Sequence, residues 1–163
     1  MYICQPVNKT VKNLSLIAIL KIKNFVSKMK NLLSTKYSAG AVSAAMLVLR
    51  LAAGLLMINH GYDKLIHYGS MHNQFMNFMG MGKSLSLALV IFAEFFCSIF
   101  LILGLLTRLA TIPLIIDMGV ALAKAHNVEV FGKGELPALY LAVFIVILLI
   151  GPGRVSVDGM VGK

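Results

Sequence analysis

The sequence predicts an all-α integral membrane protein: four helices crossing a bilayer up-down-up-down, with a short amphipathic interfacial helix in the first outer loop. Three observations carry this expectation. Of 163 residues, 59% are hydrophobic and only 13% charged, far from the balance of a soluble domain. Apolar runs at about 41–59, 84–104, 109–126 and 135–150 approach the roughly 20 residues needed to cross ~30 Å of hydrocarbon. With four such runs after residue 40, too little polar surface remains for a soluble fold. The expected organisation is a basic cytoplasmic tail over 1–40, a four-span membrane domain over 41–150 and a short cytoplasmic tail over 151–163.

Seven lysines (Lys9, Lys12, Lys21, Lys23, Lys28, Lys30 and Lys36) precede the first span. A positive flank of this kind stays cytoplasmic, and an even number of spans returns the C-terminus to the same side. The net charge of +9 would suggest nucleic acid in a soluble chain. Here it reads as membrane orientation, and no nucleic-acid partner is expected. Within the tail, "LSLIAIL" (14–20) is too short to span, and Lys21 and Lys23 follow it without a small-residue cleavage site, so it does not read as a signal peptide. It reads either as a basic amphipathic helix on anionic lipid or as an over-extended stretch before a functional unit that begins at Met29.

Past the first span, Met71, Phe75, Phe78, Met79 and Gly82 recur at helical spacing opposite Asn73, Gln74 and Asn77, which predicts the interfacial helix, ended by Gly80 and Gly82. "GLLTRLA" (104–110) reads as a tight hairpin between the second and third spans, with Thr107 as helix cap. Pro113 should bend the third span, because it frees the carbonyl of Leu109. "HNVEVFGKGELP" leads into the fourth span. "GPGRVSVDG" ends it, with Gly151 in a left-handed cap and Pro152 barring continuation. Cys4 and Cys97 lie in different segments and suggest neither a disulfide nor a metal site.

The charges inside the spans carry the functional signal. Arg50, Glu94 and Asp117 count to similar depth in the first three spans and are expected to converge in the bundle interior. Each costs about 2.5–3.5 kcal/mol at a helix centre, which the roughly 6–12 kcal/mol from some 20 apolar residues offsets. One arginine cannot neutralise two carboxylates, so the second acid must be protonated or meet another cation. Lys64, His60 and His126 are the candidates at the outer end, with His60 and Lys64 on one face if the first helix runs past Gly61. The bland reading is a buried ion pair that fixes register; the functional one is a proton relay or a polar anchor for a small ligand such as a quinone head group. His67, Met71, His72, Met76, Met79 and Met81 would suit Cu(I), but at helical spacing they read as packing, and no metal site is assigned.

"LVLRLAAGLLMINHGYDKL" (47–65) resembles the opening signature of the DoxX family: an arginine in a small-residue-rich first helix, then histidine-glycine and lysine-leucine. The acid in "FAEFFCSIFLILGLLTRLA", the "ALAKAHN" segment and the closing "GPGRVSVDG" resemble that family in order and spacing, over about 40–160. The resemblance implies a four-helix protein of the bacterial inner membrane, with Arg50, His60, Lys64, Glu94 and Arg154 at recurring polar positions. Relatives include a small membrane subunit of a thiosulfate:quinone oxidoreductase and members of complexes that manage thiol and oxidant stress.

The chain has no Cys-x-x-Cys pair, nucleotide-binding glycine loop or haem pair, so no covalently bound cofactor is expected. The resulting expectation is a membrane subunit of an oxidoreductase system. Its polar column of Arg50, Glu94, Asp117, His60, Lys64 and His126 would orient a quinone or move its protons, and a protein partner would supply electrons; self-association is left open. The alternatives are a non-catalytic scaffold or assembly factor and a small proton-coupled transporter.

Overall fold

Lysine-rich sequence with few helix breakers makes the first helix. In the computed structural model, which describes residues 9–32, 36–125 and 130–161, helix α1 runs over Lys9–Leu32 and continues straight through Met29. The chain divides into two compact units, Met1–Tyr37 and Ser38–Lys163. No strand occurs among the described residues.

The second unit begins at a cap. Ser38 Oγ accepts from the Ala41 amide at 3.0 Å and starts α2, Ala39–Ile66. Its 28 residues extend about 42 Å, so the helix runs past Gly61 and carries both Arg50 and Lys64. Ser43, Met46, Arg50, Ala53, Gly54, Met57 and Gly61 form its buried stripe at three- and four-residue steps. A four-residue α3 (Tyr68–Met71) follows. Next comes a continuous helix made of α4 (Lys83–Ile91), a π-helical segment (Phe92–Cys97) and α5 (Ser98–Leu103). Helix α6 (Thr107–Val120) also passes into a π-helical segment (Ala121–Ala125), and α7 (Glu135–Ile150) and α8 (Val157–Val161) close the unit.

Helix α2 packs on the first π segment and on α5, while α6 packs on α7 and on that same π segment. Met46, Ala53, Met57, Leu101, Leu114, Phe144 and Ile147 meet in the core. The outside is apolar as well: Val48, Leu55, Leu89, Phe92, Ile112, Ile116, Leu139 and Leu149 are exposed. An apolar interior inside an apolar surface is the arrangement of a chain solvated by lipid. Two helices, Ala39–Ile66 and Lys83–Leu103, are long and apolar enough to cross a membrane, and α7 is apolar over 16 residues.

Three expectations change. The helix of the outer loop is confined to Tyr68–Met71, and residues 72–75 form turns. Asn77 Oδ1 accepts from the Gly82 amide, and Met79, Gly80 and Gly82 have positive φ, so local side-chain bonds and turn geometry replace helix there. Thr107 does not cap α6; that role falls to Asp158. The third concerns the segment that ends α7. It folds back on α2, where Ser43 Oγ accepts from the Arg154 amide at 2.7 Å, and Gly151 has φ 89° with extended ψ rather than a left-handed cap.

Candidate functional site

The site is built on a contact that tolerates no side chain. A Cβ on Gly61 would stand 2.5 Å from the Phe95 nitrogen and 2.7 Å from the Glu94 carbonyl carbon. Backbone therefore meets backbone where α2 crosses the π segment, as small residues permit in membrane helices. A π turn carries one extra residue and redirects the side chains on it, which is why such turns gather at functional sites. Here the turn presents Glu94, and Lys64 follows Gly61 by three residues on the same face.

Lys64 Nζ meets Glu94 Oε2 at 2.5 Å, with the lysine side chain 21% and the glutamate side chain 6% exposed. Asp117, from α6, stands close enough to interact with both. Its Oδ2 is buried without a hydrogen-bond partner. Lys64 and Asp117 lie in the wall of a cavity of about 580 Å³, within the range of roughly 300–1,000 Å³ of small-molecule sites. Phe75, Phe78, Leu89, Phe92, Pro113 and Ile116 supply much of its apolar lining. Ser86 ties the outer loop down at the rim, because its hydroxyl donates to the Gly82 carbonyl at 2.7 Å and accepts from the Phe78 amide at 3.0 Å. Pro113, expected to bend the third span, is part of the cavity wall.

Arg50 is not part of this group. Its guanidinium, 1% exposed, donates to the carbonyls of Pro152, Val155 (3.2 Å) and Ile102 (3.5 Å), while Nε has no partner. The register explains the difference. Gly61, not Arg50, lies against Glu94, and the offset of eleven residues between them corresponds to about 16 Å of helix. At the level of Arg50 the neighbour is the turn after α5. There Gly104 has φ 71°, and a Cβ would come within 2.8 Å of the guanidinium nitrogens.

Asp158 completes this second cluster. Its carboxylate accepts from the amides of Leu106 and Thr107 and from the Thr107 hydroxyl, each at 2.8 Å. Partial burial raises the pKa of Asp158, but those hydrogen bonds and the charge of Arg50 outweigh it and hold the carboxyl below the usual range. Charge pairing alone could not reveal the cluster, because most of its acceptors are main-chain oxygens.

Of the remaining expected residues, His60 is exposed one turn before Lys64, and His126 lies outside the described residues. Cys97 is a buried free thiol, whereas Cys4 is outside the described residues. In the outer loop, Nδ1 of His67 and of His72 sit 2.9 and 3.2 Å from the carbonyls of Asp63 and Tyr68. Among the described residues no group of three or more His, Cys, Asp or Glu side chains could hold a metal ion.

The family model described as DoxX matches residues 45–127, about half of the chain and the part that contributes Arg50, Lys64, Glu94 and Asp117. No curated protein and no solved structure matches the chain.

Proposed function

The chain belongs to the DoxX family of membrane proteins, and we propose that its cavity beside Lys64 and Asp117 holds a quinone head group and handles the accompanying protons. On this reading it is a four-span, up-down-up-down bundle of the bacterial inner membrane with both termini cytoplasmic, serving as the membrane subunit of an oxidoreductase system. The observation that carries the proposal is an apolar cavity whose wall holds an ammonium and a carboxyl oxygen without a partner.

The chemistry of the lining fits such a ligand. Aromatic and aliphatic side chains suit a ring and the start of an isoprenoid tail, and the two polar groups suit its oxygens. Lys64 would donate to a carbonyl oxygen. Asp117 would exchange a proton with the same head group, drawing on Glu94. One ammonium between two carboxyls leaves room for a transferable proton, since full ionisation of all three would place a net negative charge in hydrocarbon. A bound quinone would supply the two-electron redox chemistry, with electrons delivered by a protein partner.

Purification in mild detergent followed by organic extraction tests the proposal directly. Co-purified lipophilic quinone, with its amount sharply reduced in Lys64→Met and Asp117→Asn variants that retain the fold, is the expected result. Absence of quinone, together with no binding of a short-chain ubiquinone or menaquinone analogue, would leave a non-catalytic scaffold as the better reading.

A further inference from the structure

The unit before Ser38 contains no acidic residue and seven lysines, and its helix takes no part in the quinone reading. Ile19, Ile22, Phe25, Val26 and Met29 are all exposed and recur at steps of three and four, so they form one stripe along α1. Lys21 and Lys28 are two turns apart at one border of this stripe. Lys23 and Lys30 stand in the same relation at the other. Over residues 19–30, Asn24 and Ser27 occupy the far face, where Leu20 is the one exposed large apolar residue out of place.

This arrangement specifies its partner. A soluble partner helix would be recognised by the apolar stripe alone, and nucleic acid by the cations alone. Lysines along both borders of an apolar stripe instead place their stems beside it and their ammonium groups at the level of lipid phosphates. Six residues separate Leu32 from the start of α2, a membrane-inserting helix, so connectivity keeps α1 close to a bilayer. We infer that α1 is an in-plane membrane helix that binds anionic phospholipid, with Ile19, Ile22, Phe25, Val26 and Met29 in the acyl boundary and Lys21, Lys23, Lys28 and Lys30 on headgroup phosphates. Such a helix makes the state of the N-terminal unit depend on the lipid composition around it.

The chain has no tryptophan, so a single introduced indole reports without background. The full-length Phe25→Trp protein is reconstituted in nanodiscs of phosphatidylcholine alone and of phosphatidylcholine with phosphatidylglycerol. The expected result is a blue-shifted emission, quenched by brominated acyl chains, in the anionic discs. It should move to the red in the neutral discs or when Lys21, Lys23, Lys28 and Lys30 are all changed to Gln. Ser27→Trp, on the far face, should stay red-shifted in both and shows that the chain tolerates the probe. Emission independent of lipid charge, equal shifts at positions 25 and 27, or a shift that appears only on raising the number of chains per disc would overturn the inference.

Discussion

Arg50 and Lys64 leave the same helix about four turns apart, and they meet opposite kinds of partner. The arginine is enclosed, and hydrogen-bonds to neutral main-chain carbonyls from two other segments. The lysine is partly open, pairs with Glu94 and borders a cavity that Asp117 also lines. Carbonyls do not change charge, and Asp158 is held ionised above the acid range, so the arginine cluster can hold segments together but does not take up or release a proton over ordinary pH. Carboxyls can, and a polar oxygen left without a partner beside a cavity has capacity for a ligand. The difference between the two clusters separates a clasp from a working site, although the sequence expectation joined both cations in one polar column.

The comparison can be broken by substitution. Arg50→Ala strands the carbonyls of Pro152 and Val155 and empties a filled space, and should cost about 3–5 kcal/mol. The midpoint of thermal unfolding in detergent should fall accordingly, with quinone affinity of the folded fraction unchanged. Arg50→Lys should recover part of the loss, because a point charge cannot serve three divergent acceptors. A loss of quinone affinity out of proportion to unfolding would place Arg50 back in the site.

Next in size, Gly61→Ala forces the α2 backbone away from Glu94 and Phe95 and should cost about 1–3 kcal/mol. Unlike the arginine variant it should also weaken quinone binding, as the Lys64–Glu94 pair shifts with it. Equal binding at permissive temperature would show that the π segment does not position the acid.

Asp158→Ala removes the cap of α6 and should cost about 1–2 kcal/mol. The carboxyl of Asp158 lies below its usual range in the fold, so its contribution is present above the unfolded value and disappears as pH falls through the folded one. The wild type should therefore lose stability on acidification below the ordinary carboxylate range, and the variant should lose less over that interval. Parallel pH profiles of the unfolding midpoint would remove Asp158 from the clasp.

Glu94→Gln sharpens the contrast with the smallest expected change in stability, about 1 kcal/mol, because Asp117 still faces Lys64. Quinone binding or its pH dependence should change by about tenfold or more, the scale of one charge-assisted hydrogen bond. Unaltered binding across pH would count against proton handling by this pair.

Most helices could be read from the sequence, because apolar runs bounded by Gly, Pro and charge leave few other outcomes in a bilayer. Helix α2 extends beyond its expected end at residue 59, where tyrosine, aspartate and lysine mark the interface without stopping the helix. Lys64 as a second cation for the acids was accessible from charge balance. The position of Arg50 was not, because depth counting assumes a register that the Gly61 contact sets differently. Nothing in a list of side chains announces that a guanidinium will bind main-chain oxygens on a distant loop. The π segments were equally hidden, since in a helix apolar at almost every position the phase shift from one additional residue cannot be seen. The outer-loop helix was overestimated for the opposite reason: its spacing was right, but Asn77 and the glycines favoured turns.

The arginine clasp also bears on how the molecule is assembled. Its guanidinium sits in α2, yet the carbonyls of Pro152 and Val155 lie 102 and 105 residues downstream. Throughout synthesis of the intervening chain this cation has to remain hydrated or borrow lipid phosphate. Arrival of the loop over 152–155 is therefore the event that lets the charge withdraw, which couples a segment made 102 residues later to the settling of α2.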